Sequence, residues 1–162
     1  MTIVERITEL SRTMVTPKIS ILVVRLALGV IFLKAGLDKI IEGDWTASGF
    51  LLHATQGPFT GFMEFFANSV VTDNLVMWGQ VAIGLALIVG AATRWTVVAG
   101  ALMMGLFYIA QLPPENGWVS DKIIYILALN LLWVVRAGTY FGIDGWLVNT
   151  ETRHRPLRFV LG

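Results

Sequence analysis

The residues of this sequence that are best placed to bind a ligand are charged and amide side chains within long apolar runs. On the first run, residues 19–41, five residues recur at steps of four and three: Arg25, Gly29, Phe32, Gly36 and Lys39. This spacing places all five on one face of a helix. Because a charge deep in hydrocarbon costs about 3 kcal/mol or more, Arg25 should face a protein interior or a water-filled cavity. We expect this face either to attract an anion or a polar headgroup, or to hold its charge against carbonyls or an acid inside the protein.

Further polar side chains extend this pattern to the other apolar runs. Gln80 begins a stripe of small residues on the second run, and Lys122 and Tyr125 lie at the start of the fourth. We predict that these side chains share the outward half of a helical bundle with Lys39. The predicted substrate-binding or quinone-binding set is Arg25, Lys39, Gln80, Lys122 and Tyr125, and no catalytic residue is assigned. In the alternative interpretation, Gln80, Tyr125 and Asn130 form hydrogen bonds between helices and have no further role.

Several classes of site are not expected from this sequence. It has no cysteine, and its two histidines, His53 and His154, lie far apart in the chain. Disulfides, thiolate-bound clusters, and a metal or haem site built by this chain alone are therefore not expected. No nucleophile triad, phosphate-binding loop, dinucleotide-binding motif or nucleic-acid-binding patch is present. Any redox chemistry should therefore use a diffusible cofactor or one held by a partner.

The elements that must position these residues are membrane helices. Hydrophobic residues make up 56% of the chain and the mean hydropathy is +0.71, both typical of an integral membrane protein rather than a soluble domain. Four runs are long enough to cross a bilayer: about residues 19–41, 75–92, 95–112 and 118–135. We predict an all-α membrane protein, a four-helix transmembrane bundle whose membrane domain covers residues 19–137. On the first run, Lys34 and Asp38 have the spacing of a helical ion pair, which favours a structural role.

Three segments flank the predicted spans. Residues 1–18 mix charged and apolar side chains, which predicts an amphipathic helix on the membrane surface. Residues 43–74 contain a Gly-Pro break and then a helically spaced aromatic face, which predicts an interfacial helical loop between spans 1 and 2. This loop is either an anchor in the membrane interface or a lid on a ligand cavity. Residues 138–162 end in a basic cluster and are predicted to form a surface tail.

The distribution of basic residues predicts the orientation of the chain. Lys39 and Lys122 lie on one side of the predicted membrane, beside several acidic residues. The other side carries Arg6, Arg12, Lys18, Arg94, Arg136, Arg153, Arg155 and Arg158. By the positive-inside rule we expect a multi-pass protein of the cell membrane with both termini in the cytoplasm.

These segments resemble the DoxX family of small four-helix membrane proteins, which includes the DoxD subunit of archaeal thiosulfate:quinone oxidoreductase. The resemblance covers about residues 18–147 and lies in Arg25-Leu-Ala-Leu-Gly29-Val-Ile-Phe32 with residues 36–39, Gly79-Gln80 through Gly84, Gly90 to Thr93-Arg94, Phe107-Tyr108, and Pro114-Glu115-Asn116-Gly117. Gln80 stands where many relatives have an acid, so the resemblance does not imply proton transfer at this position. It implies the membrane subunit of a quinone-linked oxidoreductase, with a diffusible quinone, thiosulfate as electron donor and a partner subunit.

Three functions are open at this point. The first is the oxidoreductase subunit implied by the resemblance. The second is a non-catalytic accessory or assembly subunit of a respiratory membrane complex, with glycine faces that pack against a partner or against a second copy. The third is a small carrier for an anion or a lipid-like compound. All three place the chain in a lipid bilayer and none involves nucleic acid.

Overall fold

The computed structural model describes residues 3–53, 58–112 and 117–150, and every regular element within them is a helix. The elements are α1 (Ile3–Glu42), α2 (Ser48–His53), α3 (Thr60–Glu64), α4 (Val70–Val89), α5 (Thr93–Ala110), α6 (Asp121–Val134), a 3-10 helix (Ala137–Thr139) and α7 (Ile143–Thr150). The predicted all-α class is confirmed. The proline-rich turn at residues 113–116 and the basic cluster of the tail lie outside the described residues.

The first helix is longer than the first predicted span. α1 has 40 residues and includes Pro17 in its interior. The sequence pattern divides this region at residue 18 into a surface helix and a span, whereas the helical backbone runs through that boundary. The part from Pro17 to Glu42 is long and apolar enough to cross a membrane. The position of the preceding residues at the membrane surface stays a prediction.

Three described helices are long and apolar enough to span a membrane: the Pro17–Glu42 part of α1, α4 and α5. α6 has 14 residues, so it is about 21 Å long, shorter than a hydrocarbon layer of about 30 Å. It nevertheless packs along α5 and also contacts α1, while α1 packs along α4 and α4 contacts α5. These four helices therefore form a closed ring, and a complete fourth crossing stays a prediction.

Helices α1 and α4 approach closely because both carry glycine where they meet. A Cβ atom at Gly84 would overlap the backbone of Leu33, and one at Gly36 would lie 2.8 Å from the carbonyl oxygen of Met77. Gly29 is equally close to Ile88. These glycines therefore allow the close approach of α1 and α4. Because the chain's own helix fills these faces, they are not free to pack against another protein.

The core lies between the four ring helices at about the middle of their length. Around the Cβ position of Gly100, Leu129 Cδ1 lies at 3.1 Å, and Ile83 Cγ2 and Phe32 Cζ lie at 3.5 Å. The stripe predicted on α1 faces this core: Arg25, Gly29, Phe32 and Gly36 are buried and Lys39 is half-buried. Lys34 and Asp38 form the predicted ion pair on the exposed side of α1.

The bundle has two chemically different ends. We call the loop end the one where α1 and α5 finish, α4 and α6 begin, and α2 and α3 lie. We call the tail end the opposite one, which holds residue 17, the turn between α4 and α5, the 3-10 helix and α7. The predicted site residues are distributed between these two ends.

Candidate functional site

Arg25 lies near the tail end and is completely buried. Its Nη1 donates hydrogen bonds to the carbonyl oxygens of Ala137 at 2.7 Å and Tyr140 at 2.9 Å, and its Nη2 donates to that of Phe141 at 3.1 Å. These acceptors belong to the segment that follows α6. Its Nε is also buried and has no hydrogen-bond partner among the residues that the structure describes. Backbone carbonyls therefore provide most of the compensation for the guanidinium charge. This agrees with the second expectation for Arg25, in which carbonyls inside the protein hold its charge.

The chain after α6 turns sharply so that these carbonyls converge on Arg25. Arg136 and Phe141 have left-handed backbone conformations, with φ of 52° and 53°, on either side of the 3-10 helix. This turn leaves the carbonyls of residues 140 and 141 without helical partners, while that of Ala137 accepts from the N–H of Tyr140 at 3.3 Å as well as from Arg25. Carbonyls at a helix C-terminus carry partial negative charge, so a cation is stabilised there. The carbonyls of this segment and the guanidinium of Arg25 thus satisfy each other's hydrogen-bonding groups.

Asp144 contributes a buried negative charge to the same end of the bundle. It is completely buried, and its two carboxylate oxygens accept hydrogen bonds from the backbone N–H groups of Ala92 at 2.7 Å and Thr93 at 2.8 Å. It thereby caps the first turn of α5. Its own N–H donates to the carbonyl of Gly90 at 3.0 Å. We refer to Arg25, Gly90, residues 137–141 and Asp144 as the tail knot.

The tail knot includes the first residues of the segment predicted as a surface tail. Gly138 is buried, and a Cβ atom there would overlap the side chains of Thr93 and Asp144. Residues 138–144 are therefore part of the packed bundle end, because Arg25 and the start of α5 need their carbonyls and carboxylate. Sequence reasoning missed Asp144 as an interior residue. The available signal was an acid between Gly142 and Gly145, two residues that permit a close approach of the backbone.

Lys39 does not belong to the same cluster as Arg25. The two residues are 14 positions apart on α1, which corresponds to about 21 Å along the helix axis. Lys39 is half-buried, donates to the carbonyl of Ala35 at 3.0 Å, and lies 5.2 Å from the ring centroid of Trp45. Arg25 and Lys39, both members of the predicted binding set, therefore lie towards opposite ends of the bundle.

The other four predicted residues lie towards the loop end. Ile83 and Leu129 meet at Gly100 in the core. Gln80 lies three residues from Ile83 towards the loop end, which is about 4.5 Å along the helix axis. Tyr125 lies four residues from Leu129 in the same direction, which is about 6 Å. Lys122, like Lys39, lies about one turn further out. We call Lys39, Gln80, Lys122 and Tyr125 the loop-end polar group. These four residues lie at similar positions along the bundle axis, and Tyr125 packs against the core.

Within this group, Gln80 differs from the others in its hydrogen bonding. Its side chain is only 3% exposed, and its Oε1 has no hydrogen-bond partner in the described part of the chain. Lys122 is half-buried and forms an ion pair with Asp121 at 2.8 Å. In the alternative interpretation, Gln80 forms a hydrogen bond between helices; this oxygen does not make that bond. A buried acceptor without a donor is the kind of group that a ligand can satisfy.

The loop between the first two spans folds over the loop end. Phe50 packs edge-on against Phe107 of α5 with ring centroids 5.8 Å apart. Leu51 and Met63 are buried with Ala110 at the end of α5. The N–H of Ala47 donates to Asp73 Oδ1 at 2.7 Å, which ties the loop to the first turn of α4.

The outer side of this loop is apolar and open. Its exposed large side chains include Phe59, Phe62, Phe65 and Phe66. One side thus covers the bundle and the other is exposed and aromatic, so the lid and the interfacial anchor are compatible roles of a single segment.

Two further features bear on ligands. An open pocket of about 450 Å³ lies at the tail end, lined by Val89, Thr139, residues 141–143, Gly145 and Trp146, and none of the five predicted site residues lines it. Within residues 3–53, 58–112 and 117–150, no three histidine or acidic side chains lie close enough together to hold a metal ion. The expectation that this chain alone binds no metal or haem stays a prediction.

Comparison with known proteins identifies one related family. The family described as DoxX matches residues 20–111, which is more than half of the chain and includes α2 to α5 and most of the spanning part of α1. No match was found among the curated proteins or among the solved structures.

Proposed function

The chain belongs to the DoxX family of membrane proteins, and we propose that it acts as the membrane subunit of a quinone-linked oxidoreductase, with the loop-end polar group as its headgroup site. The observation that carries this proposal is the buried Oε1 of Gln80, which has no donor in the described structure. Leaving a buried acceptor unpaired costs about 1–3 kcal/mol. A ligand that donates a hydrogen bond to it would recover part of that energy.

The chemistry of the group fits a quinone or quinol headgroup. Gln80 would accept a hydrogen bond from a quinol hydroxyl, as its amide oxygen can accept but not donate. Lys39 has three N–H donors, of which one is engaged with Ala35, so it can donate to a quinone carbonyl. Phe107 and Tyr125 supply flat apolar surface at the same end of the core. Apolar walls with a few fixed polar groups are typical of small-molecule sites.

The electron donor and the partner rest on the resemblance. The family includes a thiosulfate:quinone oxidoreductase subunit, so thiosulfate is the proposed donor, with a partner subunit that holds the centre at which it is oxidised. The role of this chain would be to bind the quinone where it can enter from the bilayer. A small anion does not have to reach Arg25, because that cation is held by the tail knot.

The experiment compares thiosulfate-dependent quinone reduction in membranes that lack this chain and are re-supplied with variants at matched abundance. We expect Gln80→Leu to raise the inhibition constant of added quinol, the product whose hydroxyl would donate to Gln80, about 2- to 13-fold, which corresponds to the loss of one neutral hydrogen bond. Asn74→Leu is the matched control, since it removes an exposed amide from the same helix.

Other results would redirect the proposal. A wild-type inhibition constant for quinol in Gln80→Leu would remove Gln80 from the site. Full turnover by the purified chain alone would remove the partner. Activity that does not depend on the chain at all would favour the accessory role or, if labelled anion enters liposomes without redox change, the carrier.

A further inference from the structure

Asn130 lies on the outer face of α6 rather than in the core. Four apolar residues on this helix are exposed at steps of three, four and three: Ile124 at 55%, Leu127 at 63%, Leu131 at 51% and Val134 at 68%. Asn130 is exposed beside Leu127 and Leu131 on the same side. Its side chain makes no hydrogen bond within the described chain. The interhelical hydrogen bond expected for it is therefore absent inside one described copy.

The depth of Asn130 follows from its neighbour. Leu129 contacts the Cβ position of Gly100, and Gly100 lies near the middle of α5, which is long and apolar enough to span the membrane. Asn130 follows Leu129 directly, so it lies about 1.5 Å further along the axis. Its amide is therefore at the depth of the hydrocarbon layer, where neither water nor headgroups supply a partner.

An amide at this depth points to a partner that can both donate and accept. Its two N–H donors and its carbonyl oxygen are costly to leave unpaired in an apolar medium. A second asparagine satisfies both requirements at once, because each copy donates one hydrogen bond and accepts one across a two-fold axis. The surrounding spacing of three, four and three residues is also the spacing with which two apolar helices pack at a small crossing angle.

We propose that the chain forms a two-fold dimer in the membrane through the outer face of α6, with Asn130 of each copy hydrogen-bonded to the partner's Asn130. This interface does not include the loop-end polar group, so the proposal stands or falls independently of the proposed function. It also uses a surface distinct from the glycine faces, which α1 and α4 occupy within one chain.

The first test measures the monomer–dimer equilibrium in liposomes at decreasing protein-to-lipid ratio, with single-molecule counting of a fluorescent label. Losing one interhelical hydrogen bond in a membrane lowers an association constant about 3- to 30-fold. We expect Asn130→Ala to weaken dimerisation by a factor in this range and Asn130→Gln to retain most of it. An unchanged constant in Asn130→Ala, or monomers at every ratio for the wild type, would overturn the proposal.

The second test locates the interface by cross-linking. The chain has no cysteine, so single variants can be made without removing native thiols. Leu127→Cys and Leu131→Cys should cross-link two copies through a short thiol-specific reagent, whereas Val30→Cys, on the exposed side of α1, should not. Wild-type unfolding temperature is required of each variant. Cross-links that form equally at Val30, or that join Leu127 only to a different protein, would contradict the α6 dimer.

Discussion

Replacing Arg25 with glutamine tests whether this residue holds the bundle together or binds a substrate. The substitution removes a buried charge and its three hydrogen bonds to the carbonyls of Ala137, Tyr140 and Phe141. It also removes a positive charge that interacts electrostatically with the buried carboxylate of Asp144. We expect loss of stability, with opening concentrated at the tail end.

The magnitude follows from the contacts that are lost. Hydrogen bonds to a charged donor contribute about 1.5–3 kcal/mol each, but the cost of burying the guanidinium is recovered when it is removed. The carbonyls of Tyr140 and Phe141 lose their donor, at about 1–3 kcal/mol for each unpaired acceptor, so the expected cost is about 2–6 kcal/mol. For a chain of this size that free energy corresponds to a fall of about 4–24 °C in the unfolding temperature. The unfolding temperature of Arg25→Lys should lie between those of the wild type and Arg25→Gln, since a lysine keeps the charge but lacks the planar fork of donors.

The assay is thermal unfolding in lipid nanodiscs, combined with hydrogen exchange of residues 90–94 and 137–148. Arg136→Gln is the matched control because it makes the same chemical change at an exposed position of the same end. We expect the control to change the free energy of unfolding by no more than about 0.5 kcal/mol. In Arg25→Gln, the amides of residues 92, 93 and 144 should exchange faster, since their hydrogen bonds depend on the tail knot.

One result would refute this reasoning. If Arg25→Gln unfolds at the wild-type temperature, shows wild-type exchange at the tail end and still loses enzymatic activity, then Arg25 acts on a ligand and its contacts with the carbonyls contribute little. A matching loss of stability and activity would instead identify Arg25 as a positioning residue.

Three further predictions concern packing and capping. Gly84→Ala should destabilise the protein by about 1–3 kcal/mol, because a methyl group there overlaps the backbone of α1; Gly105→Ala, with no described atom within 4 Å of the new methyl group, should be close to neutral in the same unfolding assay. Asp144→Ala should cost about 2–5 kcal/mol, since it removes the cap of α5 and leaves a buried cation less compensated, whereas unchanged stability would show that backbone carbonyls suffice. Phe50→Ala should release the loop between the first two spans, seen as faster proteolysis of residues 43–69 with an intact bundle, because it removes the edge-on contact with Phe107, worth about 0.5–1.5 kcal/mol beyond burial.

The loop-end polar group shows how far a helical pattern can predict a site. The stripes on α1 and α4 identify the faces that point inward, and Gln80 and Tyr125 do lie at similar heights in the ring. The pattern does not reveal whether a side chain has a partner. Gln80 and Asn130 are both amides in apolar helices, yet one is buried with a free acceptor and the other is exposed on the outer face of α6.

The sequence alone is enough to predict the all-α class, the inward stripe of α1 and the ion pair of Lys34 and Asp38, because these depend on hydropathy and on spacings of three and four residues within one element. It also carries the family resemblance that residues 20–111 confirm. It could not show what compensates Arg25, since the acceptors lie more than 110 residues away in the chain. Nor could it show that Asp144 is interior. Both follow from three-dimensional packing: a buried charge takes its partners from whichever segment the fold brings to it, and here that segment is the one after α6.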